Sequence, residues 1–242
     1  MTPEHWAAFL QVHKDLPREG PGLPEDVHWV LETLKMSGHV QVFDAACGPG
    51  DDTVTLAQAL PHAQIRAVDK TQQFVDMARA RTTEFSPRVH VDCADMAAPG
   101  GCYDLIWCAG ALYFLGVTEG LLTWRTSLKP GGHIAFSEPV LLETPANDDV
   151  AAFWEEYPQI TDLAGIEARV KAAGYRMLAH RFIVGAAWKA YYTPMQARID
   201  ALRTTTSDPD ILAAVDDSQK EINQWRAASD QIAYALLIVA PE

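Results

Sequence analysis

From residue 40 to residue 137 the chain sets five short apolar runs between amphipathic stretches, and few folds accept that pattern. The runs occupy residues 40–45, 64–69, 88–92, 103–108 and 133–137. Each has five or six residues, too few for a stable helix and suited to a strand buried on both faces. Residues 51–60, 72–82 and 120–128 carry apolar side chains at helical spacing, and residues 129–132, Lys-Pro-Gly-Gly, read as a turn. Strand and helix in regular alternation predict an α/β fold, a mostly parallel sheet with helices on both faces.

The flanks are less regular. Residues 4–15 place Trp6, Phe9, Leu10 and His13 at helical spacing, and residues 16–24, rich in proline and glycine, read as a loop. A second helix is expected at 25–36, ended by Ser37-Gly38. Later, 150–157 and 164–173 read as helices, and 175–184 and 231–239 as strands. Residues 185–230 between those strands are mostly helical and rich in aromatic side chains. A link of roughly 45 residues is far longer than neighbouring strands need, which points to a lid. The expectation is one domain over residues 1–242, with 1–37 and 185–230 covering a substrate.

Composition narrows the partners. The chain has 242 residues, 48% apolar and 21% charged, enough to bury a sizeable core. A net charge of −13 argues against a nucleic-acid partner, which needs clustered Lys and Arg. Cys47, Cys93, Cys102 and Cys108 lack metal-ligand spacing, so no metal is expected, and at least three read as small buried hydrophobes. With no basic leader and no run of 18 apolar residues, the expectation is a soluble cytoplasmic protein without a membrane partner.

The functional signal is densest at residues 40–53, V-Q-V-F-D-A-A-C-G-P-G-D-D-T. An apolar strand ends on a carboxylate, Asp44. Gly48 and Gly50 then allow a tight turn and a close approach of backbone to ligand. The dinucleotide fingerprint G-x-G-x-x-G would need a third glycine where Thr53 stands, and Asp44 would repel a pyrophosphate. An acid there suits a ligand with a cationic amino acid end, which favours S-adenosylmethionine over a nicotinamide cofactor. Asp69 ends the second strand about 20 residues past the glycines, the place from which an acid accepts ribose hydroxyls. Asp95 and Met96 follow the third strand, placed to accept from an adenine amino group and to cover its ring.

Together these residues resemble the class I S-adenosylmethionine-dependent methyltransferases. F-D-A-A-C-G-P-G is similar to that family's first motif, with Ala46 in place of the first glycine. R-A-V-D-K, Y-D-L-I-W-C-A-G-A-L-Y-F and L-K-P-G-G-H-I-A-F-S-E resemble later motifs. The resemblance implies a Rossmann-like seven-stranded sheet of order 3-2-1-4-5-7-6 with strand 7 antiparallel, N-terminal helices, and the helical insertion between strands 6 and 7 as a cap. It also implies cofactor contacts from Arg18, Gly22, Asp44, Ala46, Gly48, Gly50, Thr53, Asp69, Lys70, Phe74, Asp95, Met96, Cys108, Ala109 and Tyr113. Arg18-x-Gly20-Pro21-Gly22, Phe153-Trp154, Tyr157-Pro158 and Trp188 with Tyr191-Tyr192-x-Pro194 are similar to small bacterial methyltransferases that act on small molecules.

The activity implied is methyl transfer to a small-molecule acceptor, leaving S-adenosyl-L-homocysteine. In-line displacement needs alignment and a dry pocket, and a base only where the acceptor must lose a proton. Glu138, at the end of the fifth strand, is the first candidate for base or orienter, the plain reading being an acid facing water. Tyr113, Tyr191 and Tyr192 are candidates to hold or wall the acceptor, or simply to pack. His13 is a further candidate, against the plain reading of a surface histidine. Arg18 is expected to pair with the carboxylate of the methionine end, a geometry that suits guanidinium. Competing readings are a noncatalytic S-adenosylmethionine-binding protein and an NAD-dependent oxidoreductase. The acceptor is expected to be neutral or cationic and partly apolar, and the protein a monomer or homodimer.

Overall fold

The computed structural model describes residues 2–242. The five apolar runs form β1 (Gln41–Ala45), β2 (Gln64–Asp69), β3 (Val89–Cys93), β4 (Tyr103–Cys108) and β5 (Leu128–Leu141). Three later strands are β6 (Thr161–Asp162), β7 (Tyr175–Ile183) and β8 (Ile232–Pro241). They build one sheet in the order β3-β2-β1-β4-β5-β8-β7, with β6 paired to β5 off that path. With the two-residue β6 set aside, this is the expected order; β7 and β8 are the strands six and seven read from sequence. β8 runs antiparallel to both its neighbours, and the pairs formed by β1 to β5 among themselves are parallel.

Register follows from burial. Val42 lies opposite Ile65 on one side and Leu105 on the other, so an apolar layer crosses the sheet centre. β8 is buried at nine consecutive positions, which a strand with neighbours on both edges and layers on both faces requires. One face is covered by α1 (Pro3–Val12), α2 (Pro24–Thr33), α3 (Asp51–Ala59), α4 (Gln72–Thr82), α8 (Ala186–Thr205) and α9 (Pro209–Ala227). The other is covered by α5 (Val117–Trp124) and α7 (Leu163–Ala172), while α6 (Asp148–Phe153) packs beside α9. No helix among the described residues is long and apolar enough to cross a membrane.

Three expectations change. Residues 129–132 are strand rather than turn: β5 begins at Leu128, opposite Tyr103, and a register shift between Tyr103 and Leu105 takes up Gly131 at φ 77°. Pairing with β8 then carries β5 on to Leu141. The helix expected at 120–128 starts at Val117, because Gly116 (φ 80°) makes the turn before it and Gly120 packs against Leu112 inside it. Among the cysteines only Cys108 is buried; Cys93, at the end of β3, and Cys102, just before β4, are exposed, and Cys47, in the turn after β1, is half-buried.

Candidate active site

The parallel strands deliver their C-terminal ends to one edge, and Asp44, Asp69 and Cys108 stand at the ends of β1, β2 and β4. β1 ends at Ala45, and the turn that follows holds Ala46 (φ 57°), Gly48 (φ 53°) and Gly50 (φ 90°), all left-handed. The two glycines have different tasks. A Cβ on Gly50 would lie 2.8 Å from the Cβ of Ala78, so Gly50 lets α3 pack on α4. A Cβ on Gly48 would meet nothing nearer than Glu19 at 3.4 Å, so there the demand is the backbone conformation.

Asp69 locks the turn. Its Oδ2 accepts from the Gly48 N–H at 3.0 Å and its Oδ1 from the Thr71 N–H at 2.7 Å. Each oxygen keeps further acceptor capacity. Burial raises the Asp69 carboxyl above its ordinary range, and those two N–H groups oppose it. Asp44 lies under the turn, 1% exposed, and accepts from Thr53 Oγ1 at 2.5 Å. Burial pushes its pKa up to about 7, with Asp52 and Asp69 adding and Thr53 opposing. Thr53 thus reaches the site through Asp44, from the position where the nicotinamide fingerprint has its third glycine.

Arg18 corrects the sequence reading most clearly. Its guanidinium is 7% exposed as a residue and is spent on protein: Asp52 Oδ1 at 2.9 Å, Asp51 Oδ2 at 3.3 Å, and the carbonyls of Gly20 and Gly22 at 2.8 and 2.5 Å. Asp52 also accepts from Trp107 Nε1 at 3.1 Å. Arg18 therefore clamps the N-terminal loop to α3 and β4 and has no free fork for a ligand carboxylate. Gly22 is small on Arg18's account, since a Cβ there would fall 2.5 Å from its Nη2. Arg81, which sequence reasoning passed over, donates to the carbonyls of Leu16, Pro17 and Pro49 and ties the same loop to the glycine turn.

His13 is 3% exposed, which overturns the surface reading. Its Nδ1 lies 2.6 Å from Glu19 Oε2, and its ring stacks on Phe9 at 3.8 Å between centroids. Burial raises the Glu19 carboxyl, against the pull of His13. Beyond β2 and β3, Asp95 is exposed and paired with the still more exposed Lys70 at 3.0 Å; the Ala97 N–H and Lys70 hold its carboxyl below the usual range. Met96 is buried and its carbonyl accepts from Trp124 Nε1, while Phe74 is buried on α4. Cys108 is fully buried at the end of β4, where burial pushes its thiol up, and Ala109 follows half-buried.

Glu138 does not face water. It is 0% exposed, accepts from the Tyr157 hydroxyl at 2.6 Å, and has Arg169 at 4.0 Å from the same oxygen. Burial pushes its pKa up to about 7, opposed by Tyr157 and then Arg169. Tyr113 stands beside Tyr157, rings 5.6 Å apart, and burial lifts its phenol to about 12, with the charge of Glu138 adding. Tyr191 and Tyr192 are buried on α8, and Tyr192 donates to Glu221 at 2.7 Å. Glu221 was not singled out from sequence. It lies on α9 beside the buried Ile222, keeps an exposed side chain, and desolvation by the protein around it raises its carboxyl against the Tyr192 hydrogen bond.

Residues 42–132 match a family model described as a methyltransferase domain. A trans-aconitate 2-methyltransferase of Paracidovorax citrulli is 30% identical over 151 residues, which are 59% of this chain and 56% of the relative. One from Streptomyces coelicolor is 28% identical over 192 residues, 73% of this chain and 62% of the relative. The match thus spans roughly half to three-fifths of these relatives. Two crystal structures of S-adenosylmethionine-dependent methyltransferases in complex with S-adenosyl-L-homocysteine share the fold. That from Geobacter sulfurreducens has a TM-score of 0.84 at 19% identity, covering 100% of this chain and 99% of its own. That from Thiobacillus denitrificans has 0.85 at 18% identity, covering 97% and 98%.

Proposed function

We propose that this chain, which is built on a class I S-adenosylmethionine-dependent methyltransferase domain, transfers a methyl group from S-adenosylmethionine to a small-molecule acceptor. The observation that carries this reading is the left-handed turn at residues 46–50, held from one side by Asp69 and underlain by the buried Asp44. The donor set fits the cofactor: acceptors for ribose at Asp69, an acid at Asp44 whose charge a cationic group would stabilise, and Asp95 with Met96 at the adenine end. S-adenosylmethionine supplies an electrophilic methyl group on a cationic sulfur.

The chain's own residues do the rest. The turn from Ala46 to Gly50 brings backbone close to the ligand, and Thr53 orients Asp44. Lys70 holds Asp95, and Phe74, Cys108 and Ala109 bound the space. The N-terminal segment 1–37 and the insertion 185–230 cover the acceptor side and exclude water, a reading that the packing of α1, α8 and α9 on one another supports. His13, with Glu19 on its Nδ1, and Glu138 are the groups that can take or orient a proton there. Tyr113, Tyr191 and Tyr192 wall that side. The reading includes a cytoplasmic monomer or homodimer of a single domain that uses no nucleic acid, in keeping with the net charge of −13.

Calorimetry with S-adenosyl-L-homocysteine tests it. The wild-type chain should bind, and Asp69→Ala should bind about tenfold more weakly or worse, the loss of at least one charge-assisted hydrogen bond. Asp44→Ala should also weaken S-adenosylmethionine. Equal affinity in wild type and Asp69→Ala would remove Asp69 from the site, and no binding by the wild type would end the reading.

A further inference from the structure

A third carboxylate, Glu19, stands at the glycine turn beside Asp44 and Asp69. Asp69 accepts from the Gly48 N–H at 3.0 Å, and Asp44 lies buried beneath the turn. Glu19 packs on the turn itself: a Cβ on Gly48 would lie 3.4 Å from its Cγ and 3.7 Å from its Cβ. The three acids come from β1, from the end of β2 and from the segment between α1 and α2. The neighbours of Glu19 in sequence hold it there. Arg18 is tied to Asp51 and Asp52 at the start of α3, and Arg81 on α4 grips the carbonyl of Pro17.

The charge of Glu19 is thinly answered. Among the described residues its one ion-pair partner is His13, at 2.6 Å. The nearby guanidinium groups are spent, that of Arg18 on Asp51 and Asp52 and that of Arg81 on the carbonyls of Leu16, Pro17 and Pro49. Burial raises the Glu19 carboxyl, with His13 opposing and Asp69 adding. In a site of low dielectric a carboxylate attracts a cation through space across several ångströms, so neither of its oxygens need be open to a ligand.

Charge is what separates the methyl donor from its product. As the sulfur–methyl bond breaks, its electron pair stays on sulfur and the acceptor's own pair makes the new bond. A cationic sulfonium thereby becomes a neutral thioether. Asp69 is placed for the ribose and Asp44 for the amino acid end, and sulfur is the atom that joins those two parts. We infer that Glu19 is a specificity-determining residue of the cofactor site: its carboxylate, carried on the covering loop, favours the cationic donor over the neutral product. This rests on the reading of the glycine turn as the cofactor site. The loop then holds the donor more firmly than the product, and methyl transfer itself loosens the hold.

The test titrates the full chain calorimetrically with S-adenosylmethionine and with S-adenosyl-L-homocysteine, at pH 8, well above the ordinary carboxylate range. The ratio of donor affinity to product affinity is compared in wild type, Glu19→Gln and Glu19→Asp. It should fall about tenfold in Glu19→Gln, the effect of one charge at short range, and stay within about threefold of wild type in Glu19→Asp, which keeps the charge. Should Glu19→Gln fail to fold in a thermal melt, Glu19→Ala carries the comparison. A residue that merely shapes the loop would weaken both ligands alike. An unchanged or increased ratio in the folded neutral variant, equal weakening or loss of both ligands, or the same fall in Glu19→Asp would overturn the inference. A wild type that binds neither ligand would instead strike the underlying reading, and the inference with it.

Discussion

Ala46 holds a left-handed conformation, φ 57°, at the place where the family motif has glycine. An L-residue with a Cβ is less stable there by about 1–2 kcal/mol, while glycine adds unfolded-state entropy of roughly 0.4–1 kcal/mol. Ala46→Gly should therefore raise stability slightly, by less than about 1.5 kcal/mol on those figures. Ala46→Val, branched at Cβ, should lower it by at least about 1 kcal/mol. Urea melts of the two variants give the order directly, and a valine variant as stable as wild type would contradict the strain. The substitution noticed in the sequence is thus a backbone matter. Its neighbours keep their roles without the missing glycine, because Cys47 N–H donates to Val68 O and Gly48 N–H to Asp69.

At the scale of elements, the turn is also a joint between two helices. Gly50 admits α3 onto α4, and its Cβ would meet both the Cβ of Ala78 at 2.8 Å and its Cα at 2.9 Å. Gly50→Ala should cost about 2–4 kcal/mol, combining overpacking with a positive φ. Calorimetric unfolding measures the loss, and S-adenosyl-L-homocysteine affinity should fall with it; a variant of wild-type stability would show that the helices can part freely. Elements with local signals were legible in the sequence. β2, α4 and β4 begin and end where the apolar pattern and flanking turns put them, because each strand is short, apolar and bounded by polar residues. The start of β5 was hidden, since Lys129 to Gly132 have turn chemistry and become strand only by pairing beside Tyr103. So was β6, two residues held by Val140 and Leu141. The Arg18 clamp was hidden for another reason. Its acids lie 33 and 34 positions away, and no local pattern tells a spent guanidinium from a free one.

The whole molecule carries a signature in its pH dependence. Asp44 and Glu138 both have pKa values pushed up to about 7 by burial. In the unfolded chain each ionises near its ordinary value, so between roughly pH 4 and 7 the native state binds more protons and stability falls as pH rises. Above about 7 that slope should vanish. The ligand-free chain should melt several degrees higher at pH 5.5 than at 7.5, taking about 2–4 °C per kcal/mol for a chain of this size. Asp44→Asn and Glu138→Gln should each flatten the difference, and scanning calorimetry at the two pH values reads it. A wild type that melts higher at pH 7.5 would contradict both burials.

Arg81 gives the molecule a timetable. One guanidinium grips carbonyls on the N-terminal loop and on the glycine turn, so lifting that loop must break these three hydrogen bonds as well as the Arg18 bonds to Asp51 and Asp52. On the proposed function, release of S-adenosyl-L-homocysteine should require the same opening of this loop. Arg81→Ala should speed amide exchange over residues 16–20 and the dissociation of S-adenosyl-L-homocysteine by a similar factor, about tenfold or more. Hydrogen exchange and stopped-flow displacement measure the two rates, and a change in one without the other would uncouple them.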